Sequence, residues 1–402
     1  MKIGVIFESN ISSGGGFQYE LSTIKYLNKH KSDKYDFIFI STCKKNLAFA
    51  KELGINLCFL KLNKADIYLN YLRKFKLFNI LLHNLGLGLS KIDKLCKKEQ
   101  INLFYFLTPS RIILNLTQCS YIITVWDLCH RDHPEFPEVG LRGFNHREKF
   151  YKAVLPRAVK IIAESNLGKK NIIKRYHVDD NRVLIVPFLP SEFTKLSDED
   201  YKKNYIDIKS KYNVEDYIYY PAQFWAHKNH IYILEALKIL NEKYNTKLSA
   251  IFSGADYGNL NYILKTAKAF GLTDQVKYIG FVDNCEIPYI YKQALALVMP
   301  TYFGPTNIPP LEAFALDCPV LYSDLDGLRE QVQDAALLLD LNKPESLVHN
   351  LLKVIRNDKI IDEIVSNGKN KLVMEEDDCW NAIKIVFDNF ETKLKTWKGE
   401  ND

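Results

Sequence analysis

The 402-residue sequence contains no run of 18 or more apolar residues, so no segment is typical of a membrane-spanning helix. Its apolar N-terminal stretch, MKIGVIFES, is followed by no small-residue cleavage site and predicts a buried strand instead of a signal peptide. None of the eight cysteines forms a CxxC pair, which disfavours zinc sites and disulfides and favours free thiols in a reducing cytoplasm. Repeats of fixed period are also absent. What remains is a globular chain, 47% hydrophobic and long enough for two domains.

The charge is unevenly distributed along the chain. The first 190 residues contain 30 Lys and Arg against 16 Asp and Glu, whereas the remainder contains 24 against 32. A basic half can meet an anionic partner such as membrane lipid, a lipid pyrophosphate or nucleic acid. A composition simply rich in lysine explains the excess equally well.

Apolar runs of strand length alternate with longer segments of helical spacing. Six such runs precede a polar pause after Phe188, and five follow it: Ile3–Phe7, Phe37–Ile40, Leu103–Leu107, Tyr121–Val125, Val159–Ala163, Val183–Val186, then Tyr217–Tyr220, Leu248–Phe252, Val276–Ile279, Ala294–Val298 and Val320–Tyr322. This alternation predicts an α/β protein of two doubly wound Rossmann-like domains with parallel sheets, which face each other across a cleft.

We predict a first domain over 1–190 and a second over 191–375. A last helix within 376–402 carries apolar residues at helical spacing and is expected to cross back to the first domain. Because ligands of such sheets bind beyond the carboxyl ends of strands, loops that follow strands are the places to search for a site.

Three of these loops carry residues suited to a phosphate ligand. In the first, Gly14, Gly15 and Gly16 precede a helical segment, where glycines and free helix amides can accommodate an anion. In the second, YPAQFWAHKNH, Lys228 lies at a helix start, a position that an anionic ligand would favour. The alternatives are a flexible turn and a solvated lysine.

The third loop, VMPTYFGPTNIPPLEAFALDCPV, is the most informative. A helix is expected to begin near Pro310, since proline suits a first helical turn. Glu312 would then lie in that first turn, outside the core, where its carboxylate could accept hydrogen bonds from a ribose diol. The alternative is a carboxylate that only stabilises the helix dipole.

From Tyr220 to about Leu339 the sequence resembles the retaining family-4 (group 1) glycosyltransferases, which have the GT-B fold. The segments that carry the resemblance are YPAQFWAHKNH, SGADYGN, KYIGFVDN and ALALVMPTYFGPTNIPPLEAFALDCPVLYSD. In the first half, the glycine loop, WDLCHRDHPEFPE and AESNLGKKNII fit as well. The resemblance implies a hexosyltransferase that uses a nucleotide-diphosphate sugar as donor, with no cofactor and no metal.

The resemblance also implies a role for each matching residue. Glu312 would hold the ribose, Lys228 would contact the diphosphate, and the glycine loop would lie near the phosphates. The sugar and β-phosphate would face a run of backbone amides and side chains: Gly304, Pro305, Thr306, Asn307 and Ile308. Lys228, Asp127 and Glu312 are the predicted catalytic residues.

Three positions depart from the family pattern. Gly304 stands where the first glutamate of the E-x7-E motif is expected, and Gln223 stands where an arginine is usual. The dipeptide Trp126–Asp127 replaces His-Asp. Without a carboxylate at residue 304, retention would proceed by front-face attack, in which a donor phosphate oxygen takes the acceptor proton. DLD at Asp324–Asp326 is interpreted as ordinary loop carboxylates.

The segment around Trp126 suggests a hypothesis about the donor sugar. An indole cannot accept a hydrogen bond, so a 6-deoxy sugar would fit Trp126 better than one with a hydroxyl at carbon six. Asp127 would be the remaining acid or orienting group. His130 or His133 could instead supply a polar contact, and Trp126 could simply pack in the core.

Residues 64–98 alternate large apolar residues with lysines and one arginine, including Arg73, Lys74 and Lys76. Such a segment could lie on an anionic membrane or could be an ordinary helix pair. The first alternative predicts a cytoplasmic protein, peripheral at the inner membrane face, whose acceptor is a saccharide or polyprenyl-linked saccharide in cell-surface polysaccharide synthesis. Rival interpretations are a non-catalytic sugar-nucleotide binding module, an epimerase-like enzyme and, without any supporting motif, a nucleic-acid binder.

Overall fold

The structure is a computed structural model that describes residues 1–9, 14–72, 77–78, 81–82, 88–141, 143–372 and 374–397. The chain forms two compact units. The first contains Met1–Leu128, Asn145–Pro187 and the chain from Glu376 onward, and the second contains Cys129–Phe144 and Phe188–Glu375. The predicted boundary after residue 190 assigns Cys129–Phe144 to the first domain, whereas this segment packs with the second unit.

The first unit contains a seven-stranded parallel sheet in the order β3-β2-β1-β4-β5-β6-β7. Its strands are β1 Lys2–Ile6, β2 Asp36–Ser41, β3 Leu57–Phe59, β4 Leu103–Phe106, β5 Ser120–Thr124, β6 Lys160–Ala163 and β7 Val183–Ile185. Its helices are α1 Gly15–Lys29, α2 Asn46–Glu52, α3 Lys64–Leu72, α4 Lys91–Glu99, and further along the chain Phe144–Val154, Asn166–Tyr176 and Glu376–Leu394. All four residues of β4 are fully buried, as expected for a central strand covered by helices on both faces.

The second unit contains a six-stranded parallel sheet in the order β10-β9-β8-β11-β12-β13. Its strands are β8 Tyr217–Pro221, β9 Ser249–Ser253, β10 Val276–Tyr278, β11 Ala296–Met299, β12 Val320–Ser323 and β13 Leu337–Leu339. Its helices are Cys129–Asp132, Asp198–Lys203, Ile208–Tyr212, His230–Tyr244, Leu260–Ala269, Ile287–Gln293, Ile308–Ala315, Asp326–Val332, Pro344–Arg356 and Lys359–Lys371. Tyr217 to Tyr220, the first four residues of β8, are fully buried in its core.

Both sheets are doubly wound, which confirms the predicted fold class. The strand order reverses between β1 and β4 in the first sheet and between β8 and β11 in the second. At such a reversal the loops that follow the two neighbouring strands diverge and leave a crevice at the carboxyl edge. The loops that carry Lys228 and Gly304 follow β8 and β11, so the topology brings them to one crevice of the second unit.

The last helix, Glu376–Leu394, packs in the first unit beside α1 and β2. The ring of Trp380 stacks on His30 at 4.6 Å and meets Phe37 edge-on at 6.2 Å. Asp377 pairs with Lys29 at 2.9 Å, and Asp388 pairs with Lys34. The helix therefore completes the apolar cover of this side of the first sheet.

The segment 64–98 is described only in part, and Arg73, Lys74 and Lys76 lie outside the described residues. Helix α4 begins with a capping box formed by Ser90 and Asp93, and it buries Ile92 and Leu95 in the first unit. Upstream, Leu77 and Leu81 are 82% and 52% exposed. Within the described ranges, no helix is both long enough and apolar enough to cross a membrane.

Candidate functional site

The loop after β8 holds Lys228 at the end of a short 3-10 turn, Ala226–Lys228. The Tyr220 hydroxyl donates a hydrogen bond to the Lys228 carbonyl at 2.8 Å. Asn229 then takes the left-handed conformation, with φ +54°, and the helix His230–Tyr244 begins. Earlier in the loop, the Gln223 Oε1 atom accepts a hydrogen bond from the Trp225 indole at 3.0 Å. Hydrogen bonds within the loop thus stabilise it, and Lys228 lies just before a helix N-terminus.

The loop after β11 turns sharply at Gly304, whose φ of +108° is rarely adopted by any residue with a side chain. A Cβ atom at this position would also lie 3.4 Å from the Asn307 side chain. A glutamate at residue 304 would therefore strain the backbone. The FGPTN turn therefore requires glycine at residue 304 in the conformation that the structure shows.

The two loops meet through a hydrogen bond from the Lys228 ammonium to the Asn307 Oδ1 atom, at 3.3 Å. Asn307 is the N-cap residue of the helix Ile308–Ala315. Two predicted donor-binding residues, one from each loop, are thus brought together at the crevice. This contact places a positive charge beside a glycine turn and a helix N-terminus, where an anion would be stabilised.

Not every amide predicted to face the sugar is available. Pro305 has no N–H group, and the Asn307 N–H donates to the Gln331 Oε1 atom at 3.0 Å. The Thr306 hydroxyl is buried and has no hydrogen-bond partner in the described part of the chain. Ile308 is the first residue of the helix and is buried.

Glu312 is located differently from the prediction. The helix begins at Ile308, so Glu312 is its fifth residue, and it is only 6% exposed. Its carboxylate accepts hydrogen bonds from the Ser191 hydroxyl and from the Tyr291 hydroxyl, the latter at 2.7 Å. Burial raises the pKa of Glu312, and these two hydrogen bonds oppose that effect. The prediction that Glu312 lies outside the core is wrong, because two hydroxyl groups satisfy its carboxylate there.

His227 connects the loop of Lys228 to two other segments of the second unit. Its ring stacks on Phe303 at a centroid distance of 3.9 Å, and its carbonyl accepts the Tyr302 N–H at 2.9 Å. Glu138 accepts the His227 backbone N–H at 3.0 Å and also contacts its Nδ1 atom. Burial tends to raise the pKa of Glu138, but the hydrogen bonds from His227 outweigh burial and lower the pKa. Glu138 therefore holds this loop as an anion.

In the first unit, Gly14 caps the helix α1, with φ +69°, and residues 10–13 of the predicted phosphate loop lie outside the described residues. A Cβ atom on Gly16 would come within 2.9 Å of the Trp126 ring. Gly15 begins the helix. Trp126 is half-buried, and its indole N–H has no acceptor among the described residues. The glycines here allow close packing of an indole against a helix N-terminus.

The remaining predicted sugar contacts are divided between the units. Asp127 lies in the first unit and forms an ion pair with Arg147, so its carboxylate is held by a cation. His130 is fully buried in the second unit, with its ring beside Phe144. His133 is partly exposed and lies parallel to Phe303 at 5.6 Å.

The loop carboxylates after β12 have an ordinary explanation. Arg329 contacts Asp324 at 2.6 Å and Asp326 at 3.2 Å, so both carboxylates pair with one guanidinium. Over the ranges that the structure describes, no group of three His, Cys, Asp or Glu side chains is arranged to hold a metal ion.

Several residues that shape the site were not identified from the sequence. Gln331 and Tyr322 contact Asn307, Glu138 contacts His227, and Ser191 and Tyr291 contact Glu312. None carries a motif of its own. Each contacts a residue of the loops after β8 and β11 or of the helix that follows, at least 15 positions away in the sequence, and only the topology brings such pairs together.

Known proteins resemble this chain in the sequence of its second unit and in its fold. Residues 202–371 match the family described as glycosyl transferases group 1. The O-antigen chain mannosyltransferase RfbU of Salmonella typhimurium is 24% identical over 257 residues, which are 63% of this chain and 64% of the relative. The O-antigen chain mannosyltransferase B of Escherichia coli is 24% identical over 216 residues, 53% of this chain and 56% of that relative. The chain thus matches about three fifths of the length of these relatives.

Solved glycosyltransferases have the same architecture. HepE of Anabaena, in complex with UDP-glucose, superposes with a TM-score of 0.74 at 14% identity, over 98% of this chain and 100% of that one. A glycosyltransferase of Rickettsia africae gives a TM-score of 0.69 at 16% identity, over 96% and 98% of the two chains. Residues 202–371 thus match the group 1 glycosyltransferase family, and the two doubly wound sheets have the GT-B fold of the solved structures.

Proposed function

We propose that this protein is a retaining glycosyltransferase that moves a hexose from a nucleotide-diphosphate sugar to a saccharide or lipid-linked saccharide. The observation that carries the proposal is the contact of Lys228 with Asn307 at the crevice between the loops after β8 and β11. A cation, a helix N-terminus and a glycine turn converge there, as a diphosphate requires. The family match over residues 202–371 includes all of these residues.

In the proposed reaction, Lys228 stabilises the negative charge that develops on the diphosphate as the glycosidic bond breaks. Removing one such contact typically lowers the rate on the order of 100-fold or more. Residue 304 offers no carboxylate to form a covalent sugar intermediate, because its backbone conformation requires glycine. The acceptor hydroxyl therefore attacks from the leaving-group face, its oxygen bonds to the anomeric carbon, and its proton passes to a phosphate oxygen of the departing diphosphate. No step needs a metal, because Lys228 supplies the positive charge.

Mannose is the donor sugar that the relatives favour. Two of them are named O-antigen chain mannosyltransferases, and a third relative is named for capsular polysaccharide biosynthesis. These names also support a role in cell-surface polysaccharide synthesis. The second candidate is a 6-deoxy hexose, which the sequence suggests through Trp126 in place of the histidine usual in the family.

We base the proposed acceptor and location on the first unit. Leu77 and Leu81 are exposed beside a lysine-rich stretch of the sequence, which favours contact with anionic lipid. The proposal is therefore a cytoplasmic protein, peripheral at the inner membrane face, that acts on a polyprenyl-linked or other lipid-linked saccharide.

The test is a thermal-shift and hydrolysis screen of the purified protein with GDP-mannose, GDP-fucose, UDP-glucose and dTDP-rhamnose. We expect one donor to stabilise the wild type and to be turned over, and Lys228→Ala to lose both effects. Lys247→Ala is the matched control, since Lys247 is an exposed lysine of the same unit. Turnover of GDP-mannose would support mannose, whereas a preference for a 6-deoxy donor would support the second candidate.

Two outcomes would contradict the transferase. Binding of a donor without hydrolysis or transfer would favour a non-catalytic sugar-nucleotide binding module. Conversion of the donor sugar into its epimer would favour an epimerase-like enzyme on the same architecture. Equal behaviour of Lys228→Ala and Lys247→Ala would show that the site lies elsewhere.

A further inference from the structure

The side chain of Gln331 forms two hydrogen bonds with the backbone of Asn307. Gln331 lies in the helix Asp326–Val332, which follows β12. Its Oε1 atom accepts the Asn307 N–H at 3.0 Å, and its Nε2 atom donates to the Asn307 carbonyl at 2.6 Å. The backbone N–H and the backbone carbonyl of Asn307 are thus both hydrogen-bonded to the side-chain carboxamide of Gln331.

Tyr322 completes a closed set of hydrogen bonds. It lies in β12 and is fully buried. The Asn307 Nδ2 atom donates to the Tyr322 hydroxyl at 2.6 Å, and this hydroxyl donates in turn to the Gln331 Oε1 atom at 3.1 Å. A hydroxyl has only one proton to give, and here it goes to Gln331. Asn307 must therefore present its N–H₂ group to Tyr322.

The orientation of the Asn307 amide follows from this set. With Nδ2 directed at Tyr322, the carbonyl Oδ1 is the end that faces Lys228, at 3.3 Å from the ammonium. A flipped amide would place two donor groups, N–H₂ and N–H₃⁺, against each other. Asn307 thus orients Lys228. Asn307 is itself held by Tyr322 in β12 and by Gln331 in the helix that follows.

We propose that Gln331 is a positioning residue of the donor site, which fixes the Lys228 ammonium for a nucleoside diphosphate through Asn307. The inference rests on the proposed function, because it assigns a task to Lys228 in donor binding. Gln331 itself touches no substrate in this arrangement. Without it, the Asn307 backbone loses both of its hydrogen bonds to the helix, and the Oδ1 atom no longer holds the lysine in one place.

The test is a double-mutant cycle between Gln331 and Lys228, measured as the dissociation constants of GDP and UDP by calorimetry. Wild type, Gln331→Ala, Lys228→Ala and the double variant are compared. We expect Gln331→Ala to weaken binding of the diphosphate roughly tenfold in the wild-type background, the scale of one hydrogen bond to a charged group. In the Lys228→Ala background the same substitution should have no further effect, because its action passes through the lysine.

Two controls separate this role from damage to the fold. Tyr322→Phe keeps the buried ring and removes the hydroxyl, so it should weaken diphosphate binding in the same direction. Gln118→Ala removes an exposed glutamine of the first unit and should change nothing. Binding of guanosine and uridine, which carry no phosphate, should be the same in wild type and Gln331→Ala.

An equal loss in both backgrounds would overturn the proposal, because Gln331 would then act without Lys228. An equal loss of nucleoside binding would overturn it too, since the effect would be a general loosening of the unit. If wild type binds neither diphosphate, both the proposed function and this inference fail. If wild type binds and the cycle is additive, only this inference fails.

Discussion

A single backbone angle decides the chemistry available at residue 304. The family pattern predicts a glutamate there, and the sequence alone shows only that glycine replaces it. The φ of +108° adds that this turn favours glycine over any residue with a side chain. The proposal of front-face attack depends on this residue.

Substitution of Gly304 tests the turn directly. Gly304→Ala and Gly304→Glu should each lower the free energy of unfolding by roughly 1–3 kcal/mol, since they force a side chain into a disfavoured region. Both should also abolish the thermal stabilisation by the donor. Gly271→Ala is the control, because Gly271 has φ +71° at the end of a helix outside the crevice. A Gly304→Glu variant that binds donor better than wild type would contradict the argument.

Glu20 is a second residue whose environment decides its behaviour. It is fully buried in α1, and its carboxylate accepts the backbone N–H groups of Glu8 and Ser9 at 3.2 and 2.9 Å, so it holds the chain that leads into the glycine loop. Burial raises its pKa from 4.5 to about 8, although these hydrogen bonds oppose the rise.

A raised pKa fixes the sign of the pH dependence. Between about pH 4.5 and 8 the native protein keeps a proton on Glu20 that the unfolded chain has lost. This contribution to stability is complete below pH 4.5 and is lost as the pH rises through 8. Relative to Glu20→Gln, the wild type should therefore lose up to about 1.4 kcal/mol of stability per pH unit in this window. Urea unfolding at pH 5, 6.5 and 8 measures the slopes, and parallel slopes for the two proteins would refute the assignment.

At the residue scale, the sequence identified some of the site and missed its support. Lys228 and Asn307 could be predicted because each lies in a loop that follows a strand and precedes a helix, and the loop of Asn307 is also rich in glycine and proline. Gln331 and Glu138 could not, because a glutamine in a helix and a glutamate in a loop are ordinary solvent-facing residues until the fold places them beside Asn307 and His227. Glu312 was misplaced because the helix starts two residues earlier than its prolines suggested.

At the scale of elements, apolar runs identified the strands with long buried cores. Strands β3 and β13 were missed, and both have three residues and lie at a sheet edge. Leu57–Phe59 is only partly buried, so its pattern is weak in the sequence. Length and edge position do not explain why β13 was missed, because β7 and β10 are also three-residue edge strands and were identified.

The last helix makes a testable contribution to the first unit. Trp380 packs among His30, Tyr35, Phe37 and Phe387. Trp380→Ala should therefore lower the free energy of unfolding by about 3–5 kcal/mol, as expected for loss of a buried aromatic side chain. Ile385 is 61% exposed on the same helix, and Ile385→Ala should cost less than about 0.5 kcal/mol. Chemical unfolding measures both free energies. A loss for Trp380→Ala as small as that for Ile385→Ala would show that the packing of Trp380 does not stabilise the first unit.

At the scale of the whole molecule, the two halves of the sequence differ in charge. The basic first half favours contact with an anionic partner. The exposed Leu77 and Leu81 favour a partner whose interior is apolar. The fold itself followed from the alternation of strands and helices, since that pattern repeats along the whole chain. The packing of Cys129–Phe144 with the second unit could not be predicted from the sequence, because no change of composition marks this segment.

Vesicle co-sedimentation tests the membrane contact. Wild type should bind vesicles that contain phosphatidylglycerol and should be released as salt is raised, because salt screens the attraction. Leu77→Ser with Leu81→Ser should weaken binding roughly tenfold or more, by removing two apolar side chains from the lipid. Leu264→Ser, at a partly exposed leucine of the second unit, is the control. Equal binding to neutral vesicles, or no effect of the leucine pair, would contradict a lipid-facing surface.

The packing of Cys129–Phe144 with the second unit also limits how this protein can be recombined with its relatives. A chimera joined at the polar pause near residue 188 would combine the Glu138 of one parent with the His227 and Phe303 of the other. Exchange of the second halves should therefore succeed only when this short stretch is exchanged with them, as a three-piece graft. Natural shuffling of these halves would face the same constraint, even though each half has its own sheet.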